Sequence, residues 1–207
     1  MRDGGSGMYA PMIMASAMLL LGYALGAVPF GVLLTRLGGA GDLRAIGSGN
    51  IGATNVLRTG RRGLAAATLL LDMLKGTAAV LIARALVPGT EGLAAAGAVL
   101  GHMYPIWLRF RGGKGVATLF GVAIGLHWPS GLVYAAVWLG MLAAFRISSL
   151  AGMTAAMLLP VGAALLGRFD LAILHLGLGL LVVWKHRDNL ERLIAGTEPH
   201  VGRPRDG

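Results

Sequence analysis

Residues 8–34 read MYAPMIMASAMLLLGYALGAVPFGVLL and contain no charged side chain. A hydrocarbon core about 30 Å thick needs about 20 apolar residues in one helix, so this stretch is long enough to cross a membrane. It is longer than the apolar part of a secretory signal peptide, usually about 7–15 residues, and no small-residue cleavage site ends it. The pattern predicts a retained transmembrane helix over 9–37, preceded by a disordered polar segment over 1–7.

The rest of the chain is similarly apolar. Hydrophobic residues make up 56% of the 207 positions and charged residues 13%, and the mean hydropathy is +0.71. A soluble domain carries about 25% charged residues. If this chain were soluble, its few polar residues could not cover so much apolar surface. The predicted fold class is an all-α, polytopic integral membrane bundle of seven transmembrane helices, with six as the alternative. It forms one domain over 8–198, followed by a flexible cytoplasmic tail over 199–207. The other predicted helices are 63–86, 91–104, 115–127, 130–146, 148–167 and 169–185.

Basic residues favour one side of the predicted bundle. With seven spans, Arg2, Arg84 and Arg168 lie on one side, Lys75 lies within a span, and the other lysines and arginines lie on the side of the C-terminus. Because cytoplasmic loops are enriched in Lys and Arg, this predicts an outside N-terminus and a cytoplasmic C-terminus. The same enrichment explains the net charge of +9 without nucleic acid binding. The absence of cysteine excludes disulfides and thiolate metal sites.

The loop after the first predicted helix contains Gly47-Ser-Gly-Asn-Ile-Gly-Ala-Thr-Asn55 with an arginine on either side. Glycines expose backbone N–H groups, Ser, Thr and Asn add side-chain donors, and arginine adds fixed positive charge. This combination predicts a site for a phosphate or another oxyanion. The alternative is a flexible loop with helix caps, since Ser and Asn also favour turns. The candidate ligands are Arg44, Gly47, Ser48, Gly49, Asn50, Gly52, Thr54, Asn55 and Arg58.

A second glycine-rich loop joins Gly101-His-Met-Tyr-Pro105 to Phe110-Arg-Gly-Gly-Lys-Gly-Val-Ala-Thr118. Its glycines and lysine open the predicted helix 115–127, and helix N-termini favour anions. Lys114 would add a point charge there, although a snorkelling lysine on the cytoplasmic side is the alternative. His102 is either a ligand or a packing residue at a helix end. The candidate ligands are His102, Gly112, Gly113, Lys114 and Gly115.

Three further groups of residues stand out. His186 follows the last predicted helix and can take a proton near neutral pH, and Asn189 can orient a substrate oxygen; a basic juxtamembrane tail is the alternative. Ser149 begins a helix as a cap or a ligand. Asp72 and Lys75, three residues apart within a span, share one helical face and are predicted to pair and brace the loop above, with a proton relay as the alternative. The sequence contains no His-Glu-x-x-His motif or histidine cluster typical of a metal site.

Taken together, these segments resemble the bacterial membrane acyl-phosphate:glycerol-3-phosphate acyltransferases, the PlsY family, in order, spacing and length over nearly the whole chain. The chain departs from the family pattern at Ala27-Val28 and at Gly152, near or at positions where serine is usual. The matching elements are Pro29-Phe-Gly31, the run 42–58, Leu71-Asp-x-x-Lys-Gly76, the run 101–118, and His186-Arg-x-Asn189 with Arg192, Gly196 and Glu198.

The resemblance implies a multi-pass enzyme of the inner (plasma) membrane of a bacterium, with its active site facing the cytoplasm. It implies transfer of a fatty acyl group from acyl phosphate to the 1-hydroxyl of glycerol 3-phosphate, giving lysophosphatidic acid and phosphate. No metal or organic cofactor is implied. The expected partners are the two substrates and membrane lipid, with functional coupling to the enzyme that makes acyl phosphate as a further expectation. By the same resemblance the catalytic residues are Ser48, Arg58, Lys114, His186 and Asn189.

A membrane transporter for a phosphorylated metabolite is the alternative function, since it would use the same anion-binding loops. It predicts charged residues through several spans, whereas Asp72, Lys75 and His175 are the ionisable residues that lie well inside the predicted helices. The sequence therefore favours the acyltransferase.

Overall fold

The structure, a computed structural model, describes residues 6–202, with side chains from residue 10, and this part of the chain contains helices but no β-strand. Residues 1–5 and 203–207, which include most of the predicted disordered segment and part of the predicted tail, lie outside the described residues. Short 3-10 helices cover Leu43–Ala45 and Ile106–Leu108. The α-helices are α1 (Ser6–Gly26), α2 (Phe30–Leu37), α3 (Ala53–Leu57), α4 (Arg62–Leu86), α5 (Glu91–Met103), α6 (Val116–Leu126), α7 (Trp128–Phe145), α8 (Ser148–Leu165), α9 (Phe169–Lys185) and α10 (Arg187–Ile194).

Several of these helices are long and apolar enough to cross a membrane. Within residues 6–202 four stretches meet that requirement, and a fifth does so if α9 and α10, which meet at a bend of 62°, form one broken span. Helix α6 is apolar but shorter. The four stretches are Ala10–Leu37, Arg62–Leu86, Trp128–Phe145 and Ser148–Leu165.

The first predicted helix, 9–37, is interrupted between α1 and α2. Pro29 has no backbone N–H and disfavours helical geometry at the residue before it, so the helical hydrogen bonding stops there. The interruption leaves carbonyl groups that need other donors. The Trp107 indole donates to the Ala27 carbonyl at 2.7 Å, and the Lys75 ammonium donates to the Val28 carbonyl at 2.8 Å.

The described chain divides into two compact units, one ending at Leu126 and the other beginning at His127; the single domain over 8–198 stays a prediction. In the first unit, α1 packs along α5 and α4 packs along α6. Glycines spaced four apart let α1 and α5 approach closely, because a Cβ on any of them would overlap the facing backbone. These glycines are Gly22 and Gly26 on α1 and Gly97 and Gly101 on α5. This close packing fixes the end of α5 beside the interruption between α1 and α2.

In the second unit, α8 packs between α7 and α9. Tyr134 and Leu159 are among its largest fully buried side chains. The segment after α10 returns to the end of α7, where the Val201 N–H donates to the Arg146 carbonyl at 2.7 Å. This return path carries Glu198 to the start of α8.

Candidate active site

The side-chain amide of Asn55 organises the first glycine-rich loop. Its Nδ2 group donates to the carbonyls of Leu43, Ile46 and Asn50 at 3.1, 2.9 and 2.8 Å, and its Oδ1 accepts from the Ser48 N–H at 3.2 Å. Asn55 is only 2% exposed. The sequence suggested that Asn55 binds substrate, but in the structure its hydrogen-bonding groups hold the loop together.

The first loop presents Ser48 and Arg58 next to each other. Gly47 and Gly49 have φ values of +55° and +68°, a left-handed conformation that glycine adopts without strain. Between them Ser48 is exposed to solvent. The Arg58 guanidinium passes over Gly47, with Nη1 3.2 Å from the position of an added Cβ. The loop therefore places the Ser48 hydroxyl and the Arg58 guanidinium on one small surface, while the Ser48 and Gly49 N–H groups bond within the loop, to Asn55 Oδ1 and the Ile46 carbonyl.

The second glycine-rich loop is laid over the end of α5. The Gly112 N–H donates to the Met103 carbonyl at 3.1 Å, and the Gly113 N–H donates to the His102 carbonyl at 3.0 Å. A Cβ on either glycine would overlap His102, so this close approach requires glycine. Lys114 lies two residues before α6 begins at Val116, so its backbone lies beside a helix N-terminus.

The two loops border one open cavity of about 720 Å³ in the first unit. Its described lining contains three arginines, Arg44, Arg109 and Arg111, and one carboxylate, Asp42. Arg44 donates to both Asp42 oxygens, at 3.0 and 2.7 Å, and these hydrogen bonds hold the pKa of the Asp42 carboxyl well below its usual range. The cavity therefore keeps a net positive charge, which suits a phosphorylated ligand. The remaining lining residues are Ala45, Gly49, Trp107 and Leu108.

Sequence reasoning missed Arg109, Arg111 and Trp107 as candidate site residues. The chain turns sharply here, because Arg109 and Phe110 both have left-handed backbone angles, with φ of 51° and 61°. Such conformations cost energy for residues other than glycine and are concentrated at functional sites. The available signal was the pair of arginines directly before the Gly-Gly-Lys-Gly run.

In the second unit, Glu198 gathers three donors. Ser149 Oγ and Asn189 Nδ2 donate to Oε1 at 2.7 and 2.5 Å, and Arg192 Nε donates to Oε2 at 2.7 Å. Burial raises the pKa of Glu198, but the hydrogen bonds from Ser149, Asn189 and Arg192 outweigh burial and the net pKa is lowered. Glu198 is therefore an ionised anchor that fixes the Asn189 amide.

His186 is buried at the junction of α9 and α10, 3% exposed. Its Nδ1 lies 2.7 Å from the Val182 carbonyl. A carbonyl can only accept, so Nδ1 carries the proton and Nε2 is the acceptor in the neutral ring. His186 therefore has the tautomer that a hydroxyl-binding or proton-accepting histidine needs.

The structure places some of the predicted site residues next to one another within each unit. In the first unit Ser48 and Arg58 adjoin Gly47, and Arg44 and Gly49 line the cavity, whereas Ser48, Arg58 and Lys114 are not among its described lining residues. In the second unit Ser149 and Asn189 both donate to Glu198, and the Asn189 N–H donates to the His186 carbonyl at 2.8 Å. Thr54 is exposed on α3, and Gly52 caps α3 with its N–H bound to Asn50 Oδ1 at 2.8 Å. Joint action of both groups stays a prediction. Among the described residues, no group of three or more His, Cys, Asp or Glu side chains is arranged so that it could hold a metal ion.

Comparison with known proteins decides the family. A sequence model described as Glycerol-3-phosphate acyltransferase matches residues 16–196. The chain belongs to the glycerol-3-phosphate acyltransferase family. A relative of that name from Novosphingobium aromaticivorans is 66% identical over 184 residues, covering 89% of this chain and 93% of the relative. Another from Mesorhizobium japonicum is 58% identical over 184 residues, covering 89% and 94%.

Two solved structures share the family's fold. Both are crystal structures of PlsY, described as an integral membrane glycerol 3-phosphate acyltransferase. The glycerol 3-phosphate form has a TM-score of 0.85 and 35% identity, covering 91% of this chain and 96% of that chain. The lysophosphatidic acid form has a TM-score of 0.84 and 34% identity, covering 91% and 95%. The predicted family, its acyltransferase activity and the all-α integral membrane fold are thus confirmed.

Proposed function

We propose that this chain transfers a fatty acyl group from acyl phosphate to the 1-hydroxyl of glycerol 3-phosphate, giving lysophosphatidic acid and phosphate. The observation that carries this proposal is the cationic cavity between the two glycine-rich loops. Both substrates carry a phosphate, so two anion-binding loops suit the reaction better than one. The acyl chain is apolar and can lie among the helices while its phosphate meets the loops.

The reaction needs no covalent enzyme intermediate, because acyl phosphate is a mixed anhydride with a good leaving group. The hydroxyl oxygen of glycerol 3-phosphate attacks the acyl carbon, the bond from that carbon to the phosphate oxygen breaks, and phosphate leaves with the electron pair. Arg58 and Lys114 balance the phosphate charge, and Ser48 and neighbouring N–H groups stabilise the leaving phosphate or the carbonyl oxyanion. Positioning and electrostatic stabilisation then supply most of the acceleration.

In this proposal His186 and Asn189 position glycerol 3-phosphate, and a substrate phosphate takes the hydroxyl proton. The His186 Nδ1–H bonds to the Val182 carbonyl, whereas the histidine of a Ser-His-Asp triad donates its Nδ1–H to a carboxylate. We expect His186→Ala to raise the KM for glycerol 3-phosphate while the fall in rate at low pH remains. Loss of that acid limb in a variant that still binds substrate would instead identify His186 as the base.

One assay tests the overall reaction. Purified protein in lipid is mixed with palmitoyl phosphate and labelled glycerol 3-phosphate, and lysophosphatidic acid should appear. Palmitoyl-CoA should not replace palmitoyl phosphate. Uptake of glycerol 3-phosphate into proteoliposomes without acyl transfer would contradict the proposal and favour a transporter.

The detailed topology is part of the proposal: one domain over 8–198 with seven spans, an outside N-terminus and loops facing the cytoplasm of a bacterial inner membrane. The chain has no cysteine, so single cysteines give unambiguous labelling. Arg61→Cys and Thr197→Cys should react with a membrane-impermeant maleimide only in inside-out vesicles. Leu166→Cys should react in intact spheroplasts. Labelling of Arg61→Cys and Thr197→Cys in intact spheroplasts, and of Leu166→Cys only in inside-out vesicles, would show that the orientation is the reverse of the one proposed.

The arginines of the second loop are proposed to bind a substrate phosphate in the cavity. Arg109→Ala combined with Arg111→Ala should raise the KM for a phosphorylated substrate by about tenfold. Both arginines are exposed, exposed ion pairs contribute about 0.2–1 kcal/mol each, and a tenfold change corresponds to about 1.4 kcal/mol. The matched control is Arg61→Ala with Arg62→Ala, which removes two exposed arginines that do not line the cavity. Equal effects of both double variants would mean that general surface charge, not the cavity, attracts the substrate.

A further inference from the structure

A buried charged cluster lies in the first unit where α4 faces the end of α5. Lys75 Nζ is 2.5 Å from Asp72 Oδ1, which confirms the predicted pair. The same nitrogen is 3.0 Å from His102 Nδ1 and 2.8 Å from the Val28 carbonyl. Asp72, Lys75 and His102 are each 5% exposed or less. The hydrogen bonds of this ammonium go to His102 and to the Val28 carbonyl, while Asp72 is its ion-pair partner.

Stability alone is a weak reason for such a cluster. Removing two charges from water costs several kcal/mol per ion, and well-packed apolar residues of similar size often stabilise a protein as well or better. The ion pair instead fixes the relative positions of the groups around it, because each of them must lie at a set distance from the Lys75 ammonium. Lys75 holds two segments of the chain, one at His102 and one at Val28.

One of these segments carries the second glycine-rich loop. His102 Nδ1 accepts from Lys75, so the neutral ring carries its proton on Nε2. Nε2 faces Gly113, where a Cβ would overlap the imidazole ring. The His102 carbonyl also accepts the Gly113 N–H at 3.0 Å. The ring and backbone of His102 thus form the surface on which the residues before Lys114 rest.

The other segment is the interruption between α1 and α2, which borders the first glycine-rich loop. Val28, whose carbonyl binds Lys75, is followed by Pro29 and Phe30, and the ammonium lies 5.7 Å from the centre of the Phe30 ring. Gly31 packs against the Ile51 carbonyl so closely that a Cβ would overlap it. Ile51 lies within the first loop, four residues before Asn55.

We propose that Asp72 and Lys75 are positioning residues for acyl transfer. Through Val28 and His102, the ion pair sets the position of the first glycine-rich loop relative to the second, and hence the distance between the groups that hold the two phosphates. This inference rests on the proposed function and extends it to residues that touch neither substrate. Misplacing reacting groups by about 1 Å can cost about 10²-fold in rate. The gain in rate from fixed loop positions therefore offsets the cost of burying the Asp72–Lys75 ion pair.

The test is the double variant Asp72→Leu with Lys75→Met. It replaces the whole pair with apolar side chains, because either single change would leave a buried charge without its partner and threaten folding. The matched control is Arg84→Met with Glu91→Gln. It removes an ion pair of 3.7 Å between the C-terminal end of α4 and the start of α5, together with the hydrogen bond from Arg84 to the Gly125 carbonyl at 2.8 Å. Both are compared with the unaltered chain by steady-state kinetics and by amide hydrogen exchange.

The Asp72/Lys75 double variant should lose about 10²-fold in kcat/KM, with a higher KM for at least one phosphorylated substrate. Amide exchange should become faster in residues 47–55 and 112–116 and stay unchanged in α8 and α9. The control should change neither. An unchanged KM with only a smaller folded fraction, or faster exchange throughout the protein, would overturn the inference. If the unaltered chain made no lysophosphatidic acid, the proposed function would fail, while the exchange comparison would still decide the positioning role.

Discussion

Arg58→Ala and Lys114→Ala should each lower the formation of lysophosphatidic acid by about 10²–10³-fold, the usual cost of removing one group that stabilises charge in a transition state. Arg58 lies over Gly47 beside Ser48, and Lys114 stands before the N-terminus of α6. Both reacting partners carry phosphate. The loss should appear in kcat/KM at saturating concentrations of the second substrate.

Two comparisons separate this loss from unfolding. Arg62→Ala removes an exposed arginine at the start of α4 and should leave activity unchanged. Arg58→Lys keeps the charge but loses the planar fork that binds two phosphate oxygens together, so it should recover only part of the rate. If Arg58→Ala and Lys114→Ala kept near-normal kcat/KM with both substrates, the assignment of phosphate binding to the two loops would be wrong.

The long apolar helices were predictable because hydropathy and length decide them almost alone, while the count of seven spans stays a prediction. The span 63–86 corresponds to α4 (Arg62–Leu86), and 169–185 matches α9. The interruption at Ala27–Pro29 was not predicted, although Pro29 signalled it. In an uninterrupted apolar run, the sequence alone does not show whether other groups can satisfy the freed carbonyls, which here requires Trp107 and Lys75 from distant segments.

The sequence indicated which loops form the candidate site, but not which of their residues stabilise the loop and which are available to bind substrate. Glycine, serine and asparagine in a loop bind anions and also stabilise turns, and the sequence does not separate these uses. Asn55 proved to be internal to the loop, and Glu198, which entered only through the family resemblance, proved to be the acceptor for Asn189. Arg109 and Arg111 escaped notice because lining a cavity is a property of tertiary packing.

Asn55→Asp should be nearly as damaging as loss of a catalytic charge, although Asn55 is buried and the two side chains have the same shape. The amide donates to the carbonyls of Leu43, Ile46 and Asn50, whereas an ionised carboxylate can only accept. Each carbonyl left unsatisfied costs about 1–3 kcal/mol, and repulsion from the carboxylate adds to this. We expect the first loop to lose its conformation and kcat/KM to fall by about 10²-fold or more, because Ser48 and Arg58 lose their fixed geometry.

Asn50→Asp provides the matched comparison for loop conformation. Asn50 Oδ1 only accepts, from the Gly52 N–H at 2.8 Å, and a carboxylate can do the same. Amide exchange over residues 43–58 should therefore become much faster in Asn55→Asp and change little in Asn50→Asp, with α4, α5 and α6 of both variants remaining protected. Equal exchange in the two variants would show that the donor groups of Asn55 do not hold the loop. In that case its amide would be open to contact substrate, as the sequence first suggested.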